Sequence, residues 1–223
     1  MAIDTASSLC AASIRVDGRY GAPVRFSERR SIGRGHAEIL FDVIHTVFDR
    51  AGLTPADVDR IVVNVGPGSF TGLRTGVAAA RGLALALACP CTGVTVLEAL
   101  ARTAASERFE SAAIVVDAGR GDVVLQIFDV SAGQPGTPPQ TLAAADVSAA
   151  LAGFQGVALG SGLALLPTGE RETSGVRFLD LAWPDIEVFA DIGAEEEPAA
   201  PPRPYYSRAA DAKPQRSAKL VTP

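Results

Sequence analysis

Lysine and histidine are almost absent from this sequence of 223 residues, and each absence excludes some chemistry. Lysine occurs only at Lys213 and Lys219, so residues 1–202 offer none for a Walker A loop, a Schiff base or a phosphoryl clamp. Histidine occurs only at His36 and His45, on one predicted helix. At about 100° per residue the two imidazoles point to opposite faces and cannot chelate one metal ion. We therefore expect no histidine metal site.

Cysteine and long apolar runs are also scarce. The three cysteines, Cys10, Cys89 and Cys91, are an odd number without C-x-x-C spacing, which favours a reducing cytoplasm over a disulfide or zinc framework. No apolar run reaches the roughly 18 residues of a membrane span, and the start, MAIDTASS, has no signal pattern. The net charge is −5, although residues 203–223 carry five basic residues and one acid. We expect a cytoplasmic globular protein, without membrane contact, whose acidic body binds nucleic acid poorly on its own.

Hydrophobic patterning predicts an α/β protein with two similar halves. "IDTASSLCAASI" (3–14) is similar to "VDAGRGDVVLQI" (116–127), each typical of a strand, a turn after an aspartate and a second strand. "VVNVGPGSFTG" (62–72) is similar in the same way to "GVALGSGLALL" (156–166). We expect a duplicated actin-like ATPase (ASKHA, RNase H-like) fold of two β-β-β-α-β-α lobes; the alternative is an α/β protein without duplication, since such similarities are common in that class. Its predicted parts are an N-terminal lobe at 1–106, a C-terminal lobe at 107–194 and a mostly disordered, Pro/Ala-rich basic tail at 195–223.

The elements predicted within these lobes follow from period and turn residues. The expected strands are 2–5, 9–16, 24–26, 61–65, 94 onward, 113–117, 123–130 and 157–160, with a loop at 133–139. The expected helices are 37–51, 71–88, 97–106, 145–152 and 184–192.

The glycine turn in "NVGPGSFTGLRTGVAAARGLALA" (64–86) matches no catalytic motif fully. The lysine of a Walker A loop is missing, the third glycine of G-x-G-x-x-G is displaced by one position, and the serine directly follows a glycine, unlike G-x-S-x-G. An actin-like cleft would use aspartates at strand ends, which elsewhere serve only to form turns. The candidates for a nucleotide cleft are Asp4, Thr5, Gly66, Gly68 and Asp117.

The helix after this turn carries a ridge of small residues, Gly72, Gly76, Ala80, Ala84 and Ala88, spaced by four. Such a ridge lets another helix approach closely. The preceding helix has more apolar residues than one buried stripe requires, so a protein interface is indicated. The alternative is that these apolar surfaces pack against the sheet of the same lobe and form no partner interface. The residues expected at a partner interface are His36, Phe41, His45, Phe48, Gly72, Arg74, Gly76, Ala80 and Ala84.

Several stretches together resemble the TsaB (YeaZ) family. They are "IDTA" (3–6), "RGHAEIL" (34–40), "VGPGSFTGLRTGVAAARGLALAL" (65–87), "GVTVLEALA" (93–101), "VDAGRGDVV" (116–124) and "PYYSRAADAKPQ" (204–215). The resemblance implies a non-catalytic scaffold or activator subunit that pairs with its paralogue TsaD through the two helices of the first lobe. TsaD carries the chemistry of threonylcarbamoyl transfer to the adenosine beside the anticodon of tRNA.

The same resemblance implies further partners and an absent metal site. A TsaE-type ATPase is the expected third component, and tRNA is expected to bind the complex. ATP or ADP is a possible ligand at the partner interface, and the chain alone could form a homodimer. TsaD binds a metal through H-x-x-x-H, whereas both matching positions here, Val96 and Leu100, are aliphatic. A glycoprotease-like label is inherited from the paralogue. The alternative is a stand-alone actin-like ATPase or small-molecule kinase in which Asp4 and Asp117 hold Mg-ATP.

Overall fold

The computed structural model describes residues 1–18, 21–167, 175–197 and 200–207. The first sheet has the order β3-β2-β1-β4-β5, in which β1 is antiparallel to β2 and parallel to β4. Its strands are β1 (Ala2–Asp4), β2 (Leu9–Val16), β3 (Val24–Ser31), β4 (Ile61–Gly66) and β5 (Cys91–Thr95). The helices of this lobe are α1 (His36–Ala51), α2 (Phe70–Leu87) and α3 (Val96–Ser106).

The second sheet repeats this arrangement, with the order β11-β10-β6-β7-β8. In this sheet β6 corresponds to β1, because it pairs antiparallel with β7 and parallel with β10, just as β1 pairs with β2 and β4. The described elements are β6 (Ser111–Gly119), β7 (Asp122–Asp129), β8 (Gln134–Pro135), β9 (Gln140–Ala143), α4 (Val147–Ala150), β10 (Gly156–Leu159), β11 (Val176–Phe178) and α5 (Ile186–Glu195). The shared strand order confirms the duplicated fold.

The first sheet is covered on both faces, which explains why all six residues of β4 are buried. One face, including Ile3 and Val63, packs against α1 and α2. The other face, including Ala2 and Val62, packs against α3 and α5 and joins a core that continues into the second sheet. The chain passes from the first sheet to the second after residue 106, but one hydrophobic core extends across both sheets. None of the described helices has the length and apolar character needed to cross a bilayer.

The second lobe departs from the predicted elements. The segment predicted as a helix at 145–152 contains only a 3₁₀ turn and the four-residue α4, and the predicted loop at 133–139 contains β8. The strands β9 and β11 were not predicted, because both are short and β9 is largely exposed. The helix that follows β4 in the first lobe is replaced after β10 by a 3₁₀ helix at Ser161–Leu165.

The expectation of a mostly disordered tail from residue 195 is corrected for its first part. Residues 201–207, defined here as the strap, run across the end of β4. The backbone N–H of Tyr205 donates to the carbonyl of Val65 at 2.7 Å. Thr141 Oγ1 donates to the carbonyl of Ser207 at 3.2 Å, which ties the strap to the second lobe. Residues 208–223, the rest of the predicted tail, lie outside the described residues.

Candidate functional site

The glycine turn between β4 and α2 is packed against its own chain. The N–H of Gly66 donates to Asn64 Oδ1 at 2.8 Å, and the N–H of Ser69 donates to the carbonyl of Ala6 at 2.7 Å. A Cβ built on Gly68 would lie 2.4 Å from that same carbonyl oxygen. Two of the N–H groups that a phosphate loop would offer to a ligand, those of Gly66 and Ser69, are therefore bonded to the chain itself. Gly68 is a glycine because the turn passes close to Ala6.

Asp4 and Thr5, at the end of β1, are used to hold this turn. Asp4 is 5% exposed, and its Oδ1 accepts hydrogen bonds from the N–H of Ala6 at 2.8 Å and from Asn64 Nδ2 at 3.0 Å. Burial raises the pKa of Asp4, because a charged carboxylate loses its hydration there. Thr5 Oγ1 donates to the carbonyl of Gly72 at 2.7 Å. Both side chains thus connect β1 to the turn and to the start of α2.

Asp117 is near the end of β6, the strand that is equivalent to β1 in the second sheet. Its side chain is exposed, and its Oδ1 accepts a hydrogen bond from the N–H of Gly119 at 2.6 Å. Its own N–H donates to Ser161 Oγ at 3.1 Å. The four first-lobe candidates for a nucleotide cleft are therefore adjacent. Asp117 lies at the corresponding position of the other lobe, where its Oδ1 forms a local turn.

The two histidines have separate local roles. His36 is buried, and its Nε2 lies 2.9 Å from the carbonyl oxygen of Ser7. His45 is exposed, and its Nδ1 lies 3.1 Å from a carboxylate oxygen of Asp49 one turn further along α1. Across the described ranges, no three His, Cys, Asp or Glu side chains are grouped so that they could hold a metal ion.

The small-residue ridge faces inward, which corrects its expected place at a partner interface. A Cβ on Gly72 would lie 1.9 Å from the carbonyl oxygen of Thr5, and a Cβ on Gly76 would lie 2.4 Å from Thr5 Oγ1. Ala80 and Ala84 are buried in the core beneath α1 and α2. The spacing by four is therefore explained by the close approach of α2 to β1 of its own sheet. His36 and Phe48, also expected at the interface, are buried on the inner side of α1.

On the outward sides of α1 and α2, the described part of the chain leaves large apolar groups exposed. Phe41 on α1 is 57% exposed, and Leu85 on α2 is 84% exposed. The charges of the two helices differ in sign. The exposed acidic residues of α1 are Glu38, Asp42 and Asp49, whereas α2 contains Arg74 and Arg81 and no acidic residue.

The first turn of α2 and the strap together form a cluster of Phe70, Arg74 and Tyr206. The rings of Phe70 and Tyr206 have centroids 4.9 Å apart, and the guanidinium of Arg74 lies 3.8 Å above the centroid of Phe70. Arg74 Nε donates to Tyr206 Oη at 3.1 Å. Sequence reasoning identified Arg74 but missed Tyr206, because the composition around it indicated a disordered tail. The signal was present in the aromatic pair Tyr205 and Tyr206, which is unusual in such a tail.

Two sheets of one strand order, each led by a strand with an aspartate at its end, define the class: a duplicated actin-like, RNase H-like protein. A family model described as "TsaD: tRNA N6-adenosine threonylcarbamoyltransferase" matches residues 30–135. An uncharacterized protein of Mycobacterium tuberculosis is 33% identical over 219 residues, which cover 96% of this chain and 93% of that protein.

Two further comparisons carry family names. The tRNA threonylcarbamoyladenosine biosynthesis protein TsaB of Escherichia coli is 30% identical over 124 residues, 55% of this chain and 52% of that protein. The structure of YeaZ from Pseudomonas aeruginosa superposes with a TM-score of 0.69 at 25% identity, covering 87% of this chain and 89% of that one. The chain belongs to the TsaB (YeaZ) family.

Proposed function

We propose that this chain is a non-catalytic subunit of tRNA threonylcarbamoyladenosine biosynthesis. In this role it acts as a scaffold or activator for a TsaD paralogue, which transfers the threonylcarbamoyl group to the adenosine beside the anticodon. The pathway is supported by the name of the TsaB relative and by the TsaD-type family match. The pairing is supported by one observation above all, the apolar surface on the outward sides of α1 and α2 that the described residues leave exposed.

The apolar groups of this surface favour a protein partner. Phe41 and Leu85 expose most of their side chains to water although each lies beside a well-packed core. Full burial of such a side chain contributes about 1.5–3 kcal/mol. A partner helix that covers both would gain that contribution without any rearrangement of the lobe. Large exposed apolar groups on adjacent helices are typical of an interaction surface.

The opposite charges of the two helices favour a partner with the same fold. A two-fold or pseudo-two-fold axis between two similar subunits can place α1 of each subunit against α2 of the other. The acidic side of α1 would then meet a basic α2-type helix, and the basic side of α2 would meet an acidic α1-type helix. A TsaD paralogue is therefore the expected partner. The same complementarity would allow a homodimer when that partner is absent.

Catalysis and nucleotide chemistry are assigned to the partners. Asp4 is buried and engaged, and the turn at Gly66 and Gly68 is filled by the chain itself. A TsaE-type ATPase as third component would supply ATP turnover, with any ATP or ADP bound at the subunit interface. The acidic body makes tRNA binding a property of the complex, which is expected in the cytoplasm.

The test is reconstitution with the TsaD paralogue of the same organism. Affinity is measured by calorimetry, and threonylcarbamoyl transfer to tRNA is measured with and without the chain. Phe41→Asp and Leu85→Asp should each weaken binding at least about tenfold, since a buried unpaired carboxylate costs several kcal/mol. Val24→Asp is the matched control, because Val24 is 54% exposed but lies on β3. Normal binding by both helix variants would contradict the proposed surface.

The alternative function has its own readout in the same preparation. A stand-alone actin-like ATPase or small-molecule kinase would turn over ATP without a partner, at about one per second or faster. Such activity, abolished by Asp4→Asn or Asp117→Asn, would replace the scaffold proposal. The scaffold proposal expects no turnover by the isolated chain.

A further inference from the structure

The guanidinium of Arg74 is held in one orientation by two different contacts. Its Cζ lies 3.8 Å from the ring centroid of Phe70, and its Nε donates to Tyr206 Oη at 3.1 Å. The cation–π contact and the hydrogen bond together restrict the position and orientation of the guanidinium. Exposed arginines are normally mobile, so this restraint on a surface side chain calls for a function.

Tyr206 can restrain Arg74 because the strap that carries it is anchored on both sides. The N–H of Tyr205 bonds to the carbonyl of Val65 at the end of β4, and the carbonyl of Ser207 accepts from Thr141 on β9. Pro202, further back along the strap, is buried against Gly93 of β5. The strap is therefore bonded to both lobes, and these bonds hold the Tyr206 phenol against α2.

The terminal nitrogens of Arg74 are left available. Within the described ranges, the hydrogen bond of Arg74 is made by Nε, and no acceptor is bonded to Nη1 or Nη2. Two parallel N–H groups on a fixed plane match the two oxygens of a carboxylate. Because Phe70 and Tyr206 already restrict the side chain, less conformational entropy is lost on binding than for a mobile arginine.

We propose that Arg74 is the charged anchor of the subunit interface, where it binds a carboxylate on the α1-type helix of the partner subunit, and that Tyr206 is its positioning residue. This inference rests on the proposed function. The partner's carboxylate is favoured as occupant because Arg74 lies on the same outward side of α2 as the exposed Leu85. It is also favoured because the α1 helix of this fold carries exposed acidic residues in the present chain.

The test uses single variants of the full-length chain and its affinity for the TsaD paralogue. Arg74→Gln should weaken binding about tenfold to a hundredfold, as expected for a bonded interface charge pair. Arg74→Lys should weaken binding almost as much as Arg74→Gln, because an ammonium group can neither bind a carboxylate in bidentate geometry nor stack on a ring as a planar group. Tyr206→Phe keeps the ring but loses the bond to Nε, and should weaken binding about threefold to tenfold. Arg81→Gln, the same charge change on the same helix, should weaken binding less than any of these.

The melting temperature of the isolated chain separates interface from folding. It should stay unchanged in Arg74→Lys and Tyr206→Phe, because both side chains are at the surface. Normal affinity in Arg74→Gln, alongside lost affinity in Phe41→Asp, would overturn the anchor and leave the proposed function standing. A wild-type chain that fails to bind the paralogue would overturn both. If Arg74→Gln binds the paralogue normally and instead lowers the affinity of the assembled complex for tRNA, the anion is a phosphate and the inference is wrong.

Discussion

Gly76 and Gly82 lie on the same helix, and we predict that alanine has opposite effects at the two positions. A Cβ on Gly82 would meet no atom within 4 Å, whereas a Cβ on Gly76 would lie 2.4 Å from Thr5 Oγ1. Gly82 therefore reports the helix propensity of alanine alone. Gly76 reports the same propensity together with the close packing of α2 on β1.

The magnitude at each position follows from these surroundings. Replacing glycine by alanine within a helix contributes about 0.8–1.0 kcal/mol to the free energy of unfolding. At Gly76, overpacking costs about 1–3 kcal/mol, and displacement of Thr5 loses its hydrogen bond to Gly72, worth about 0.5–1.5 kcal/mol. The two variants should differ by at least about 1.5 kcal/mol, with Gly82→Ala above the wild type and Gly76→Ala below it.

Urea unfolding and thermal unfolding of the two variants measure this difference. For a chain of this size, about 1 kcal/mol corresponds to about 2–4 °C in melting temperature, so the variants should be separated by at least about 3 °C. Since the ridge is internal, Gly76→Ala should change the affinity for the TsaD paralogue only as far as it reduces the fraction of folded chain. A Gly76→Ala chain as stable as Gly82→Ala would refute the inward packing of the ridge and restore a partner-facing role for it.

Two further predictions concern charged groups. Asp4→Asn should raise the melting temperature at pH 8, because burial raises the pKa of Asp4 and the folded state then loses stability as pH rises through that value. The gain should disappear near about pH 3, where the carboxyl is protonated in both states. Asp191→Ala should lower stability by about 1–3 kcal/mol in urea unfolding, because its carboxylate pairs with Arg15 and with both Nε and Nη2 of Arg25 in a partly buried site. Arg29→Ala, which breaks an exposed pair, should cost less than about 1 kcal/mol.

The long elements of the first lobe could be predicted closely from the sequence. The helix expected at 37–51 is His36–Ala51 in the structure, and the strand expected at 9–16 is Leu9–Val16. Both carry strong local signals. The helix has an apolar stripe and ends at Gly52, which adopts φ +65° as a left-handed C-cap, and the strand ends before a turn. Such signals lie within the element itself, so no tertiary information was needed.

The direction of the ridge could not be predicted, because spacing by four says which residues share a side of α2 and not what that side contacts. Only the contacts of Gly72 and Gly76 with Thr5, at the other end of the lobe's sequence, settle it. Tyr206 was missed for a similar reason. Its bond to Arg74 joins positions 132 residues apart, and the aromatic pair at 205–206 indicates order in the tail without indicating which residue it contacts.

The glycines after β4 and β10 show why a phosphate-loop appearance is weak grounds for nucleotide binding in this fold. In the first lobe, Gly68 and Gly72 give room to the backbone carbonyls at the end of β1. In the second lobe, a Cβ on Gly160 would lie 2.2 Å from the carbonyl oxygen of Val115 in β6, and one on Gly162 would lie 2.9 Å from the side chain of the same residue. Both lobes thus need glycine where the chain leaves the fourth strand and crosses the first. That need comes from the strand order itself, so it persists in a duplicated lobe whether or not any nucleotide binds.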